Sequence, residues 1–212
     1  HYREKLVRLP NLGAAQLPPS FPAIGKLSRQ SFGLPEDAVL LVSCANGIKH
    51  GPERDVLLVE ILQKAPRAVI VLKPFMNPSL VHPQWVQRVS AAAKKGGVED
   101  RLRIIPPLAE GKDLMGFLSL ADIQLDTYPY GGWTTNMDAV YVGLPVVTQE
   151  GSLARTRWGA GMLRAMGIQE GIAQNEEEYI AWAVRFAKDE AMRVRVRTQI
   201  ENKAKEILFS GT

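Results

Sequence analysis

The chain has 212 residues, of which 46% are hydrophobic and 23% are charged, a composition that excludes low-complexity, collagen-like and intrinsically disordered proteins. Its one cysteine excludes a disulfide scaffold and a cysteine-based metal site. The net charge of +4 is mild, no basic face carries interleaved aromatic residues, and no apolar run approaches the ~20 residues of a membrane span. We therefore expect a cytoplasmic protein with no nucleic-acid partner and no membrane span.

Residues 10–25 are rich in proline and glycine and predict an irregular linker or wrapping arm, and residues 6–9 before them predict a short edge strand. Short apolar runs follow at residues 39–42, 69–72, 103–105, 122–126 and 145–148. Most of these runs are continuously apolar rather than alternating, which is typical of strands that are covered on both faces.

Helical patterns separate these strands, and Pro52 opens the first of them at its first turn. The other helical patterns lie at residues 85–93, 114–121, 135–142 and 158–166. Residues 176–208 predict one broken helix or two consecutive helices. The repeated alternation predicts an α/β fold: a doubly wound parallel sheet with right-handed crossovers, followed by C-terminal helices.

The commonest strand order in such a sheet is 3-2-1-4-5, and ligands bind outside the carboxyl ends of strands 1 and 4, where the order reverses. The loop after strand 1, residues 43–51, has neither the glycine pattern of a dinucleotide site nor that of a P-loop. It does contain Lys49, a compact cation that suits a phosphate group. The alternative interpretation is a solvated surface lysine.

The loop after strand 4, residues 127–135, is the second candidate ligand loop. Gly131 and Gly132 allow a close approach of the backbone to a ligand. Thr134 and Thr135 then open a helix whose free N–H groups and positive dipole suit a phosphate, and Asp138 lies one turn on, where it suits the two hydroxyls of a ribose. The alternative is a capping box from Thr135 to Asp138, which requires no ligand. Three aromatic residues suit stacking on a base or sugar, or else packing of the loop itself: Tyr128, Tyr130 and Trp133.

The run from residue 120 to residue 148 resembles glycosyltransferase family 41, which includes O-linked N-acetylglucosamine transferases, SPINDLY-like proteins and bacterial adhesin glucosyltransferases. Shorter matches lie before and after this run, in the family's order, at residues 9–12, 32–37, 157–163 and 176–179. The resemblance implies a GT-B enzyme, in which two Rossmann-like lobes close on a UDP-sugar, with this chain as the C-terminal lobe. We therefore divide the chain into an N-terminal arm at 1–30, a Rossmann-like nucleotide-sugar-binding domain at 31–190 and a C-terminal helix at 191–212.

The same resemblance assigns roles to individual residues. Thr134 and Thr135 would bind the diphosphate, Asp138 the ribose, and Lys49 would neutralise charge on the leaving UDP, without a metal or other cofactor and with inversion at the sugar. Leu108 and Ala109 fall where the family holds uracil through backbone groups. The remaining residues of the expected nucleotide-sugar site are Asn46, Gly131, Gly132 and Trp133.

The sequence also departs from the family. Trp133 stands where the family often has histidine, and Leu114 and Gly111 stand near the positions of its uracil-side histidine and lysine, with Lys112 one position away. The expected partners are a UDP-sugar donor and, through an N-terminal lobe outside this chain, a protein acceptor. Two alternatives remain: a nucleotide-sugar epimerase of GT-B architecture, and a non-catalytic nucleotide-binding or assembly module.

Overall fold

A computed structural model describes residues 3–5, 7, 12, 17–18, 27–73, 83–106, 108 and 111–209 of the chain. Within them, parallel strands form a six-stranded sheet of order β3-β2-β1-β4-β5-β6. The strands are β1 Val39–Ser43, β2 Ala68–Leu72, β3 Leu102–Ile104, β4 Ile123–Leu125, β5 Val146–Gln149 and β6 Ile172–Ala173. The predicted α/β doubly wound sheet is confirmed, and the strand order reverses between β1 and β4 as expected.

The helices lie between the strands and after them. They are α1 Pro52–Lys64, α2 Pro83–Lys95, α3 Gly111–Ser119, α4 Thr134–Tyr141, α5 Trp158–Ala165, α6 Glu176–Lys188 and α7 Glu190–Ile207. Helix α1 packs against α2 and α6, while α4 packs against α3 and α7, so helices cover both faces of the sheet. Every residue of β1 and of β2 is buried, which explains their continuously apolar sequences.

The C-terminal helices are two consecutive helices rather than one broken helix. Asp189 ends α6 and caps α7, because its side chain accepts a hydrogen bond from the N–H of Met192. Helix α7 buries one face, formed by Met192, Val196, Ile200 and Ala204, against the rest of the domain. The basic residues of this segment lie on the other faces of an amphipathic helix.

Strand β6 is the element that the sequence analysis missed. It has two residues, Ile172 and Ala173, too few to produce a period in the sequence. Gly171 before it has a φ of +88°, and a Cβ at that position would lie 2.1 Å from the carbonyl oxygen of Val146. The glycine is therefore required where the chain turns closely against β5.

The expected edge strand at residues 6–9 falls mainly on residues outside the described part of the chain. Within the described part, no helix combines the length and apolar content that a bilayer-spanning segment requires.

Candidate functional site

The loops after β1 and β4 meet at the carboxyl edge of the sheet, at the point where the strand order reverses. The ammonium group of Lys49 donates a hydrogen bond of 3.4 Å to the carbonyl oxygen of Gly131. It also lies 4.5 Å from the ring centroid of Tyr130. Because Gly131 is three residues before the first residue of α4, the structure brings the cation and the N-terminus of this helix together.

Lys49 is presented by a short 3-10 helix, Gly47–Lys49, that directly follows β1. The side chain of Asn46 caps this turn by accepting a hydrogen bond of 3.2 Å from the N–H of Ile48. Partial burial lowers the pKa of Lys49, and the negative charge of Asp126 opposes that shift. Asn46, one of the expected ligand contacts, therefore has a structural role that fixes the position of Lys49.

Asp126 fixes the conformation of the loop after β4 through hydrogen bonds. Its buried carboxylate accepts hydrogen bonds from the N–H of Thr127 at 2.8 Å, the N–H of Gly132 at 2.7 Å and the hydroxyl of Thr148 at 2.8 Å. Burial raises the pKa of Asp126, and these hydrogen bonds oppose the shift. The carboxylate thus folds the loop back on itself and ties it to β5.

The N-terminus of α4 has no side-chain cap. The helix begins at Thr134, with Trp133 in the N-cap position and no side-chain hydrogen bond to the first N–H groups. The capping-box interpretation is wrong, because Thr135 lies inside the first turn instead of before it. The amides at the start of this helix are therefore not occupied by a cap, which leaves them available to an anion.

Gly131 and Gly132 are explained by contacts within the protein. The N–H of Gly131 donates to the carbonyl oxygen of Arg155 at 2.9 Å, and the N–H of Gly132 donates to Asp126. A Cβ on Gly132 would lie 2.1 Å from the hydroxyl oxygen of Thr135. The two glycines give the loop room to pack on Asp126 and leave the Thr135 hydroxyl in its place.

Asp138 lies one turn into α4 and is half-buried. Burial raises its pKa to about 6, and the positive charge of Lys73 opposes this shift. At neutral pH the carboxylate is therefore mostly ionised and can accept hydrogen bonds from two hydroxyl groups.

An aromatic cluster borders the N-terminus of α4. The ring of Trp158, at the start of α5, meets Tyr130 edge-on at 5.8 Å and Trp133 edge-on at 6.0 Å between ring centroids. Tyr130 is 45% exposed. These rings therefore pack against one another within the loop region. Tyr130 also remains partly exposed to solvent beside Lys49.

Of the two predicted uracil contacts, Leu108 lies between β3 and α3, on the opposite side of β1 from β4. Leu108 is half-buried and packs against the core. Ala109 lies outside the described residues. Gly111, Lys112 and Leu114 are in the first turns of α3.

The sequence did not reveal a group of buried polar residues that packs next to the two loops. The guanidinium of Arg54 on α1 donates to the side chain of Gln149 at 2.8 Å and lies 4.5 Å from the ring centroid of Tyr179. The Tyr179 hydroxyl donates to the carbonyl oxygen of Asp126 at 2.9 Å. The sequence gives one indication of a role for Asp126, its position directly after β4. It gives no indication for Arg54 and Tyr179, because helix periodicity does not identify buried polar contacts.

Lys73, directly after β2, was missed as well, although a charged residue ending a buried strand is itself a signal at this edge of a parallel sheet. Its side chain is only 2% exposed. Among the described residues, no three His, Cys, Asp or Glu side chains gather as a metal-binding group would require.

Comparison with known proteins identifies the family of the chain. The family model described as Glycosyl transferase family 41 matches residues 19–211. The chain belongs to glycosyl transferase family 41. Two relatives, each named a probable UDP-N-acetylglucosamine–peptide N-acetylglucosaminyltransferase SPINDLY, come from Solanum lycopersicum and Petunia hybrida. They are 33% and 32% identical to this family 41 chain, over 88% and 98% of its length. The chain covers 19% and 22% of them, so it spans about a fifth of their length.

Solved structures agree with the family. A mutant of the Thermobaculum terrenum O-GlcNAc transferase is 30% identical, with a TM-score of 0.75, and the match covers 98% of this family 41 chain and 38% of that one. Anabaena Alr3699/HepE in complex with UDP and glucose has a TM-score of 0.64 at 15% identity, covering 85% of this chain and 47% of that one, and shares the fold. The resemblance of residues 120–148 to family 41 is thereby confirmed, and the chain has the fold of a GT-B lobe.

Proposed function

We propose that the chain is the donor-binding lobe of a metal-independent, inverting glycosyltransferase that uses a UDP-sugar. The observation that carries this proposal is the approach of the Lys49 ammonium group to the loop that enters the uncapped N-terminus of α4. A cation and a set of oriented N–H groups at one site match the two negative charges of a diphosphate.

In the proposed sugar transfer, negative charge develops on the UDP leaving group. An acceptor nucleophile attacks the anomeric carbon as the bond from that carbon to the diphosphate oxygen breaks, and the UDP leaves with added negative charge. Lys49 and the α4 amides stabilise that charge because they are already oriented before the reaction. The hydroxyls of Thr134 and Thr135 add donors, Asp138 accepts from the ribose hydroxyls, and the backbone at Leu108 and Ala109 holds uracil.

The acceptor in this proposal is a protein, bound through an N-terminal lobe that this chain does not include. The names of the SPINDLY relatives, which specify a peptide acceptor and UDP-N-acetylglucosamine, support this choice. The lobe alone is expected to bind donor and transfer nothing, because half of the cleft is supplied elsewhere. We propose a cytoplasmic location, as the sequence analysis expects.

The role of Asp138 can be tested by calorimetry with UDP and 2′,3′-dideoxy-UDP on the 212-residue chain. Asp138→Asn is expected to weaken UDP binding about tenfold at pH 7.5, since it removes a charged hydrogen-bond acceptor. Binding of the dideoxy compound should be unchanged by the substitution, because it lacks both hydroxyl groups. An equal loss with both ligands would contradict the assignment of Asp138 to the ribose.

The wild-type titrations also separate the alternatives. Absence of UDP binding at millimolar concentration would favour the non-catalytic assembly module. Family membership favours transfer over the epimerase alternative. Release of free sugar epimer from a UDP-sugar by the complete protein, without an acceptor, would reverse that preference.

Gly132→Ala is expected to weaken UDP binding about fivefold. It is also expected to lower the midpoint of thermal unfolding, because the added Cβ would lie 3.2 Å from a carboxylate oxygen of Asp126. The added Cβ would force the Thr135 hydroxyl out of its present position, since only 2.1 Å separates the two sites. Gly161→Ala in α5 is the matched control, because the nearest atom to its Cβ is a Leu12 methyl group at 3.7 Å. Unchanged affinity in Gly132→Ala would show that the Thr135 hydroxyl does not contact the ligand.

A further inference from the structure

Within the described part of the chain, Lys49 is a half-buried cation that belongs to no ion pair. Its ammonium group makes two other contacts, a hydrogen bond to the carbonyl oxygen of Gly131 and an approach to the face of the Tyr130 ring. The hydrogen bond, at 3.4 Å, is longer than is usual for a nitrogen donor and an oxygen acceptor. The ring centroid, at 4.5 Å from the ammonium nitrogen, is well within the range of a cation–π contact.

Two neighbours fix the Tyr130 ring independently of Lys49. Trp158, at the start of α5, meets the ring edge-on at 5.8 Å between centroids. The hydroxyl of Thr127 donates a hydrogen bond of 2.8 Å to the carbonyl oxygen of Tyr130, which fixes the backbone that carries the ring. The ring is therefore a preformed surface on which the ammonium group of Lys49 rests.

An aromatic ring holds an ammonium group in a different way from a carboxylate. The π face attracts a cation through its quadrupole and carries no net charge. A carboxylate at the same place would cancel the positive charge of the lysine and repel a diphosphate. A lysine that rests on a ring keeps its full charge for an anionic ligand, and less of its side-chain freedom remains to be lost on binding.

We propose that Tyr130 is a positioning residue, whose ring holds the Lys49 ammonium group beside the N-terminus of α4 without neutralising it. This inference rests on the proposed role of Lys49 in binding the diphosphate. Tyr130 belongs to the loop that enters α4 at Thr134, so the surface that holds the cation and the amides of the helix are parts of one segment. Tyr130 thereby fixes the separation of the two groups before a ligand binds.

The contact itself is tested by NMR of the Lys49 side chain in the ligand-free chain. Protons over the face of an aromatic ring are shielded by its ring current. The ε-methylene protons of Lys49 are therefore expected upfield of those of Lys64, an exposed lysine of α1. Tyr130→Leu should remove this displacement, and Tyr130→Phe should retain it. Equal shifts of the two lysines in the unchanged protein would overturn the inference.

Calorimetry with UDP and uridine measures what the contact does for binding. Tyr130→Leu is expected to weaken UDP binding about threefold, as the loss of a cation–π contact at a half-buried site implies. Tyr130→Phe should bind UDP as the unchanged chain does, because it keeps the π face. Uridine, which has no phosphate, should bind equally to all three proteins. A loss of uridine affinity in Tyr130→Leu would show that the ring touches the nucleoside and would overturn the positioning role.

A double-mutant cycle separates an action through Lys49 from a general disturbance of the loop. In a Lys49→Met background, Tyr130→Leu should cause no further loss of UDP affinity, because the group that the ring positions is gone. A second threefold loss in that background would mean that the substitution acts on the helix amides or on the ligand directly. That result would overturn the inference.

Failure of this inference differs from failure of the proposed function. UDP binding that depends on Lys49 but is unchanged in Tyr130→Leu would uphold the proposed function and overturn the inference. A shielded Lys49 together with no UDP binding by the unchanged chain would reject the proposed function, and with it the role of the ring in binding. Because Tyr130 is 45% exposed, its substitution removes little buried surface, and both variants are expected to fold.

Discussion

Replacing Lys49 with methionine is expected to weaken UDP binding by about tenfold or more while leaving uridine binding unchanged. The methionine preserves the length of the side chain and removes the charge that faces the diphosphate. Lys49 already makes a hydrogen bond to Gly131 and lies over the ring of Tyr130, so its ammonium group is held near the ligand before binding. The measurement is calorimetry with both ligands at matched ionic strength, because salt screens exposed charges.

The matched control for this experiment is Lys64→Met. Lys64 is an exposed lysine at the end of α1, paired with Glu60 at 2.6 Å, and it carries the same formal charge. It should leave UDP affinity unchanged. Equal losses in the two variants would mean that net charge, rather than the position of Lys49, governs binding.

Replacing Asp126 with alanine is expected to have the largest effect on the stability of the domain, a loss of about 3 kcal/mol in the free energy of unfolding. The substitution leaves the N–H groups of Thr127 and Gly132 and the hydroxyl of Thr148 without their buried acceptor. It also releases the loop that enters α4, so UDP affinity should fall in the same variant. Urea unfolding and UDP calorimetry measure the two effects.

Asp126→Asn separates hydrogen bonding from charge at this position. Both backbone N–H groups donate to one carboxylate oxygen, which the amide oxygen can replace, and the Thr148 hydroxyl can rotate to accept from the amide nitrogen. Because burial raises the pKa of Asp126, removing its charge also removes a desolvation cost. We expect a loss under about 1 kcal/mol. A loss as large as that of the alanine variant would show that the negative charge itself holds the loop.

Much of the fold could be predicted because all its strands except β3 are fully buried. Strands β1 and β2 are continuous apolar runs bounded by turn residues, and Pro52 marks the start of α1 at the residue where the helix begins. Strand β6 could not be predicted, since two residues carry no period and their strand character comes from pairing with β5.

The sequence predicts where the candidate site lies, but not the hydrogen bonds that its loops make within the protein. The strand order alone points to the loops of Lys49 and Thr135, and the structure brings them together. The structure changes the predicted roles of three residues, for reasons that the spacing of residues in the sequence does not show. Thr135 lies within the helix rather than capping it, and the amides of Gly131 and Gly132 bind partners inside the protein.

The buried polar residues around the site are the part that sequence reasoning could not reach. Arg54 stands between Glu53 and Asp55 in the charged first turn of α1, where nothing in the sequence distinguishes a buried arginine from a surface one. Its contacts are with residues far along the chain, Gln149 and Tyr179. Long-range pairing of this kind becomes visible only when the fold is known.

A crystal structure of the chain with bound UDP would show whether the diphosphate lies between Lys49 and the N-terminus of α4. We expect the diphosphate to lie against the backbone N–H groups of Thr134 and Thr135, within hydrogen-bond distance of the Lys49 ammonium group, with the ribose hydroxyls on Asp138. A diphosphate bound at another surface, with the N-terminus of α4 and Lys49 both free of ligand, would contradict the account.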